Sequence, residues 1–140
     1  MICRAGGRLI LSWCVVVTEA VSILPVVMKA KPQALLFETS NPRHAHEWET
    51  IREMRTHIPD DKILVPGVLD STTNFIEHPR LVAQRIGRFA DIVGRERVMA
   101  GTDCGFGTFA GFGVVDADIV YAKLEAMADG AALASRQHWG

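Results

Sequence analysis

The chain is poor in several features that would narrow its class at once. It has three cysteines, too few and too odd in number for a disulfide framework, and no Cys-x-x-Cys pair of the kind that marks a closed zinc site. No apolar run reaches the roughly 18 residues that a membrane-crossing helix needs. Excess charge is missing too, with 15 Lys and Arg against 16 Asp and Glu. At a net charge of −1 and with scattered basic residues, neither nucleic acid nor an anionic membrane is the expected partner. A dinucleotide fingerprint is also lacking: the glycine-rich stretch at 105–113 reads Gly-x-Gly-x-x-x-Gly, and it falls late in the chain rather than after the first strand. The cysteine usage favours a cytoplasmic setting. What is present, 140 residues with 49% apolar and 22% charged, is the composition of one globular domain with a usable core.

Along the chain, apolar strands alternate with amphipathic helices. Residues 9–17 are apolar and rich in β-branched residues and read as a buried strand; Arg4 and Arg8 before them and Ala20 after them also fit a short secretory signal. A helix is predicted over 18–30, capped by Thr18 and interrupted by Pro25. A strand follows at 34–37, ending at Glu38. Asn41-Pro42 predicts the start of a helix running to about residue 56. The next strand, 62–65, is expected to break at Pro66-Gly67, with Val68, Leu69 and Asp70 beyond it. Pro79 opens a helix with apolar residues at helical spacing, closed by Gly94. A strand at 97–100 and a final helix from Asp116 or Asp118 complete the series, with Ile119, Val120, Leu124 and Met127 as its buried face and a weakly specified tail at 131–140. No hairpin signal is read in this order. Three to four βα units imply a parallel α/β sheet, either an open doubly wound sheet or about half of a (β/α)8 barrel.

In both architectures chemistry sits at the carboxyl ends of the strands. Glu38, Asp70 and Asp103-Cys104 fall there. A carboxylate and a thiolate from neighbouring strand ends can share a zinc ion, although catalytic zinc takes about three protein ligands. The five histidines, His44, His46, His57, His78 and His138, read individually as structural or exposed residues.

The stretch 31–48 (KPQALLFETSNPRHAHEW), together with 65–70 (VPGVLD), 77–79 (EHP) and 101–107 (GTDCGFG), resembles the C-terminal catalytic barrel of the cobalamin-independent methionine synthase family, and its short single-barrel members most of all. The resemblance covers residues 18–128. It implies the C-terminal half of a (β/α)8 barrel at 18–130, preceded by a poorly specified segment at 1–17. It also implies a zinc-dependent methyltransferase that activates a homocysteine-like thiol for attack on a methylated folate. Carried over residue by residue, Glu38 and Cys104 match two of the family's zinc ligands. Cys3 or Cys14 stands for a third, from the family's His-x-Cys pair. Asp70 and Asp103 would line the site in catalytic roles, and Asn41, Arg43 and His44 would orient the loop after Glu38 or contact substrate.

The sequence also departs from that pattern. Met1 and Ser12 stand where the His of His-x-Cys should be, and Ser71-Thr72-Thr73 replaces the acid-catalysis His that follows the Val-x-Asp turn. The expectation is therefore a fragment of impaired activity. Two other readings stand beside it: a different zinc thiol-alkyl transferase of the epoxyalkane:coenzyme M type, or a non-catalytic half-barrel that self-associates or pairs with another chain.

Overall fold

The computed structural model describes residues 2–5, 8–12, 20–107 and 115–140, with side chains from residue 22 onward. Strands β1 (Ile2–Ala5) and β2 (Arg8–Ser12) form an antiparallel pair in which Cys3 stands opposite Ile10. The strand read at 9–17 is described from residue 8 to 12, and the rest of it lies outside the described residues. The pairing corrects one expectation: a hairpin is present where none is expected. The signal for it is Gly6-Gly7, a two-glycine spacer between strands of the kind that favours a tight hairpin turn. Residues 13–19, with Cys14 and the predicted cap Thr18, lie outside the described residues.

From β2 onward the sheet is parallel. Helix α1 (Ala20–Val27, containing Pro25) leads to β3 (Ala34–Phe37), α2 (Glu47–Glu53) to β4 (Ile63–Leu69), and α3 (Pro79–Val93) to β5 (Gly101–Thr102); α4 (Ala117–Trp139) closes the described chain. The strand order is β1-β2-β3-β4-β5, with β2 to β5 parallel. Each parallel strand lies beside its predecessor in sequence, and each helix packs on the next. A doubly wound sheet reverses its strand order at a switch point; among the described residues no reversal occurs. The architecture is mixed α/β and consistent with part of a βα barrel.

The core explains these positions. Leu35, Phe37 and Leu64 face the helices and pack with Leu24, Met28, Ile51, Phe89, Ile92 and Val93, Phe37 and Phe89 meeting edge to face at 5.6 Å between ring centres. Lys62 is buried and ties the α1–β3 connection to the foot of β4, its Nζ donating to the carbonyls of Ala30 and Pro32 at 2.6 and 2.8 Å. Helix α3 begins and ends as its sequence predicts. His78 Nδ1 accepts from Arg80 N, Pro79 is the first helical residue, and Gly94 follows at φ 90°.

Four boundaries differ from the sequence reading. β4 runs through Pro66-Gly67 instead of breaking there. Leu64 O accepts from Met99 N, so by alternation the missing N–H of Pro66 faces the gap between the Leu64–Val98 bridge and β5. The offset between the two strands is the same at Leu64–Val98 and Gly67–Gly101, so the one ladder bond that Pro66 cannot donate falls in the unpaired interval between them. Asn41-Pro42 opens only a single turn, in which Asn41 O accepts from the His44 and Ala45 amides, and α2 starts at Glu47. The predicted strand 97–100 reduces to the bridge at Val98, the strand proper being Gly101–Thr102. Finally, α4 continues through the predicted tail to Trp139. Its buried face is Lys123, Ala126, Gly130 and Ala134, with Ile119, Val120, Leu124 and Met127 only half-buried. Small residues let α4 approach α3 closely. No helix among the described residues is long and apolar enough to cross a membrane.

Candidate functional site

The carboxyl ends of β3, β4 and β5 converge on one rim. Glu38 follows β3 directly, and Cys104 lies two residues after β5. Although 66 positions apart, they touch: Cys104 Sγ donates to Glu38 Oε1 at 2.8 Å. His44 is buried beside them, its Nε2 3.8 Å from Glu38 Oε2 and its Nδ1 3.3 Å from Glu47 Oε2. The single turn at 41–45 sets this spacing, because it folds His44 back over the strand end rather than carrying it away along a helix.

Asp103 organises the loop that carries Glu38. Its Oδ1 accepts from the amides of Thr39 and Ser40, both at 2.9 Å, and its Oδ2 from the amide of Asn41 at 2.6 Å. Burial raises its carboxyl from the ordinary 3.8 to about 6; the three amides pull it back down, and the charge of Glu38 adds to the rise. Room for this carboxylate comes from Gly67. A Cβ at that position would overlap Asp103 Oδ1 outright and lie 2.7 Å from two of its backbone atoms. The carbonyl of Gly67 accepts from both hydroxyls of Thr39 and Ser40 at 2.7 Å, and Arg85 reaches over from α3 to Ser40 Oγ and Val68 O.

Asp70 lies at the end of β4, buried. Its Oδ1 accepts from the amide and the hydroxyl of Thr72 at 2.8 and 2.7 Å. Its backbone amide donates to Glu77 Oε1 at 2.8 Å. Glu77 Oε2 pairs with the Nζ of Lys123 at 2.9 Å, and Lys123 also donates to the carbonyls of Asp70 and Phe75.

The structure thus brings Glu38, Cys104 and His44 together and sets Asp103 behind them as the acceptor for their loop. Asn41 belongs to the same loop: its amide binds Asp103 and its Oδ1 caps the turn by accepting from Arg43 N. The side chain of Arg43 is exposed. Cys3 is not brought to the cluster. Its backbone is level with Ile10, which is level with Ala34. Glu38 is therefore roughly 13 Å further along the strand direction and two strand spacings, roughly 10 Å, to the side. Among the described residues no three His, Cys, Asp or Glu side chains form a metal-holding group. Among the described residues the assembled donors are the carboxylate–thiol pair, one short of the three that catalytic zinc commonly takes, and Cys14, the other candidate for a third, lies outside them. Sequence reading misses Thr39, Ser40, Gly67, Glu77, Arg85 and Lys123. Thr39, Ser40, Gly67 and Glu77 lie within the stretches that carry the resemblance; Arg85 and Lys123 carry no signal.

No family model matches the sequence, and no curated protein matches it. Among solved structures, the fold is similar to that of a B12-independent methionine synthase from Shewanella sp. W3-18-1, determined in complex with selenomethionine. The TM-score is 0.65 at 20% identity, over 82% of this chain and 30% of that one. At that identity the likeness is one of fold. The chain shares its α/β architecture with that synthase and spans about 30% of the synthase's length.

Proposed function

We propose that this chain is the C-terminal part of a methyltransferase barrel of the methionine synthase type, with Glu38 and Cys104 as two zinc ligands. The observation that carries the reading is the contact between Cys104 Sγ and Glu38 Oε1 at 2.8 Å. A carboxylate and a thiol from two strand ends, 66 residues apart in sequence, meet on the rim where such folds do chemistry. The shared fold with the Shewanella synthase supports it. Bound zinc would lower the pKa of a thiol substrate and so supply a thiolate nucleophile. The chain's own residues do the rest. Asp103 holds the Glu38 loop through three amides, His44 stands against Glu38, and Asp70 lies on the same rim at the end of β4. The substrate expected is a homocysteine-like thiol with a methylated folate as donor; assays of different thiols, coenzyme M included, name the acceptor.

With two donors assembled among the described residues, zinc binding is expected to be weak and turnover of homocysteine by the chain alone negligible. The test is zinc affinity by chelator competition for the wild type, Cys104→Ser and Glu38→Ala. The expected result is a Kd in the micromolar range or weaker, weakened at least tenfold further by either substitution. Zinc affinity that both variants leave unchanged overturns the assignment, as does a wild type that binds no zinc at millimolar concentration.

A second reading, a half-barrel subunit completed by another copy or chain, is favoured by exposed Phe75, Ile76 and Tyr121 on the described surface. Light scattering on the purified chain separates the two, since a clean monomer counts against association.

A further inference from the structure

Lys123 is completely buried, in a stretch of α4 whose other buried residues are alanine and glycine. An ammonium group there needs an acceptor for each of its three N–H bonds. It has three, all from one loop: the carbonyl of Asp70 at 3.1 Å, the carbonyl of Phe75, and Glu77 Oε2 at 2.9 Å. The second oxygen of Glu77 accepts from the Asp70 amide at 2.8 Å. Both backbone polar groups of Asp70 are thereby closed on one ion pair, and Asp70 in turn holds Thr72 through its Oδ1. A buried ion pair is a poor general stabiliser, because apolar residues of similar volume commonly serve as well. What it adds is a fixed position.

We infer that Lys123, with Glu77 as its counter-ion, is the positioning residue of the strand-end turn that carries Asp70. It aims a rim carboxylate from α4. The catalytic consequence rests on the function proposed for Glu38 and Cys104; the clamp itself does not.

The test is residue-resolved amide hydrogen exchange on the full chain, comparing wild type with the double variant Lys123→Met/Glu77→Leu. That variant removes both charges together and leaves neither buried alone. The informative amide is Thr72, whose acceptor, Asp70 Oδ1, is untouched by either substitution. The expected result is at least a tenfold rise in the exchange rate of Thr72 relative to Phe89 in α3. An unchanged ratio overturns the inference, whether both rates stay put or both rise together as for a general stabiliser. If the double variant does not fold, Glu77→Gln decides the question in its place. Its amide oxygen can serve Asp70 N or Lys123 Nζ but not both, and a rise in the ratio of about threefold is expected; an unchanged ratio there overturns the inference in the same way. Failure of zinc binding at Glu38 and Cys104 would leave this ratio unaffected, so the two ideas fail separately.

Discussion

The loops after β3 and β4 solve one problem with opposite charges. Both carry backbone polar groups away from the ladder into partly buried surroundings, where each must find a partner. After β3 the groups turned inward are amides, of Thr39, Ser40 and Asn41, and they converge on a buried carboxylate, Asp103. After β4 two carbonyls, of Asp70 and Phe75, converge on a buried ammonium, Lys123, whose counter-ion Glu77 takes the Asp70 amide. Each tether comes from far downstream, 64 residues after Thr39 and 53 after Asp70. The sign of the anchoring side chain follows the backbone dipoles it must satisfy. The rim is therefore held by β5 and α4, elements that supply positions as well as reactive groups.

The comparison breaks most severely at Gly67. Replacing it by Ala drives a methyl group into Asp103 Oδ1 and to 2.7 Å from its backbone, so β5 must move and three amides lose their acceptor. Overpacking and the orphaned donors together should cost about 5 kcal/mol, nearly the stability of a small domain. Denaturant unfolding of Gly67→Ala is expected to show a marginal or unfolded chain. A loss below about 1 kcal/mol would mean that the Asp103 anchor moves freely. Lys123→Met tests the other loop. It leaves Glu77 charged with its side chain 8% exposed and should cost about 3 kcal/mol, most of it recovered when Glu77→Leu is added. If the double variant is no better than the single, the ion pair is not the reason Lys123 is buried.

How far the sequence discloses this arrangement depends on the range of the interactions. Helix α3 is legible from end to end because its signals are local: His78 and Pro79 at the start, an apolar stripe, and Gly94 at the end. Asp116 as the cap of α4 is legible for the same reason, accepting from the amide of Asp118. The continuation of α4 past residue 130 is within reach as well, since Ala131-Ala132-Leu133-Ala134 has high helix propensity. The pairing of Glu38 with Cys104 is suggested by their strand-end positions and singled out by the resemblance; no spacing rule joins residues 66 apart. Lys123 is invisible because a lysine in an amphipathic helix reads as solvated face. Its burial depends on carbonyls from a loop that the helix pattern says nothing about. Asp103 is found by position, but its partners are backbone amides, which have no sequence signature. The two-residue length of β5 is likewise set by its register on β4 rather than by its own composition.

The smallest effect expected at neutral pH sharpens the comparison most, because it asks which force governs Asp103. Burial pushes its carboxyl up to about 6 while three amides oppose that rise. With a folded pKa above the unfolded 3.8, the folded chain keeps a proton that the unfolded chain releases between about pH 4 and pH 6. This group's contribution is therefore full below about pH 4, falls as pH rises to about 6, and is level above. The fall over about two pKa units amounts to about 3 kcal/mol. Asp103→Asn has no such proton. It keeps one acceptor oxygen for Thr39 and Ser40 but turns an NH2 group on the Asn41 amide, a cost of about 1 kcal/mol at pH 7. Unfolding curves for both proteins between about pH 4 and 7, in chelator, should show the wild type's advantage shrinking as pH rises. If the advantage grows instead, the amides outweigh burial, Asp103 is ionised throughout, and the loop that holds Glu38 is anchored by a full negative charge at every pH the protein meets.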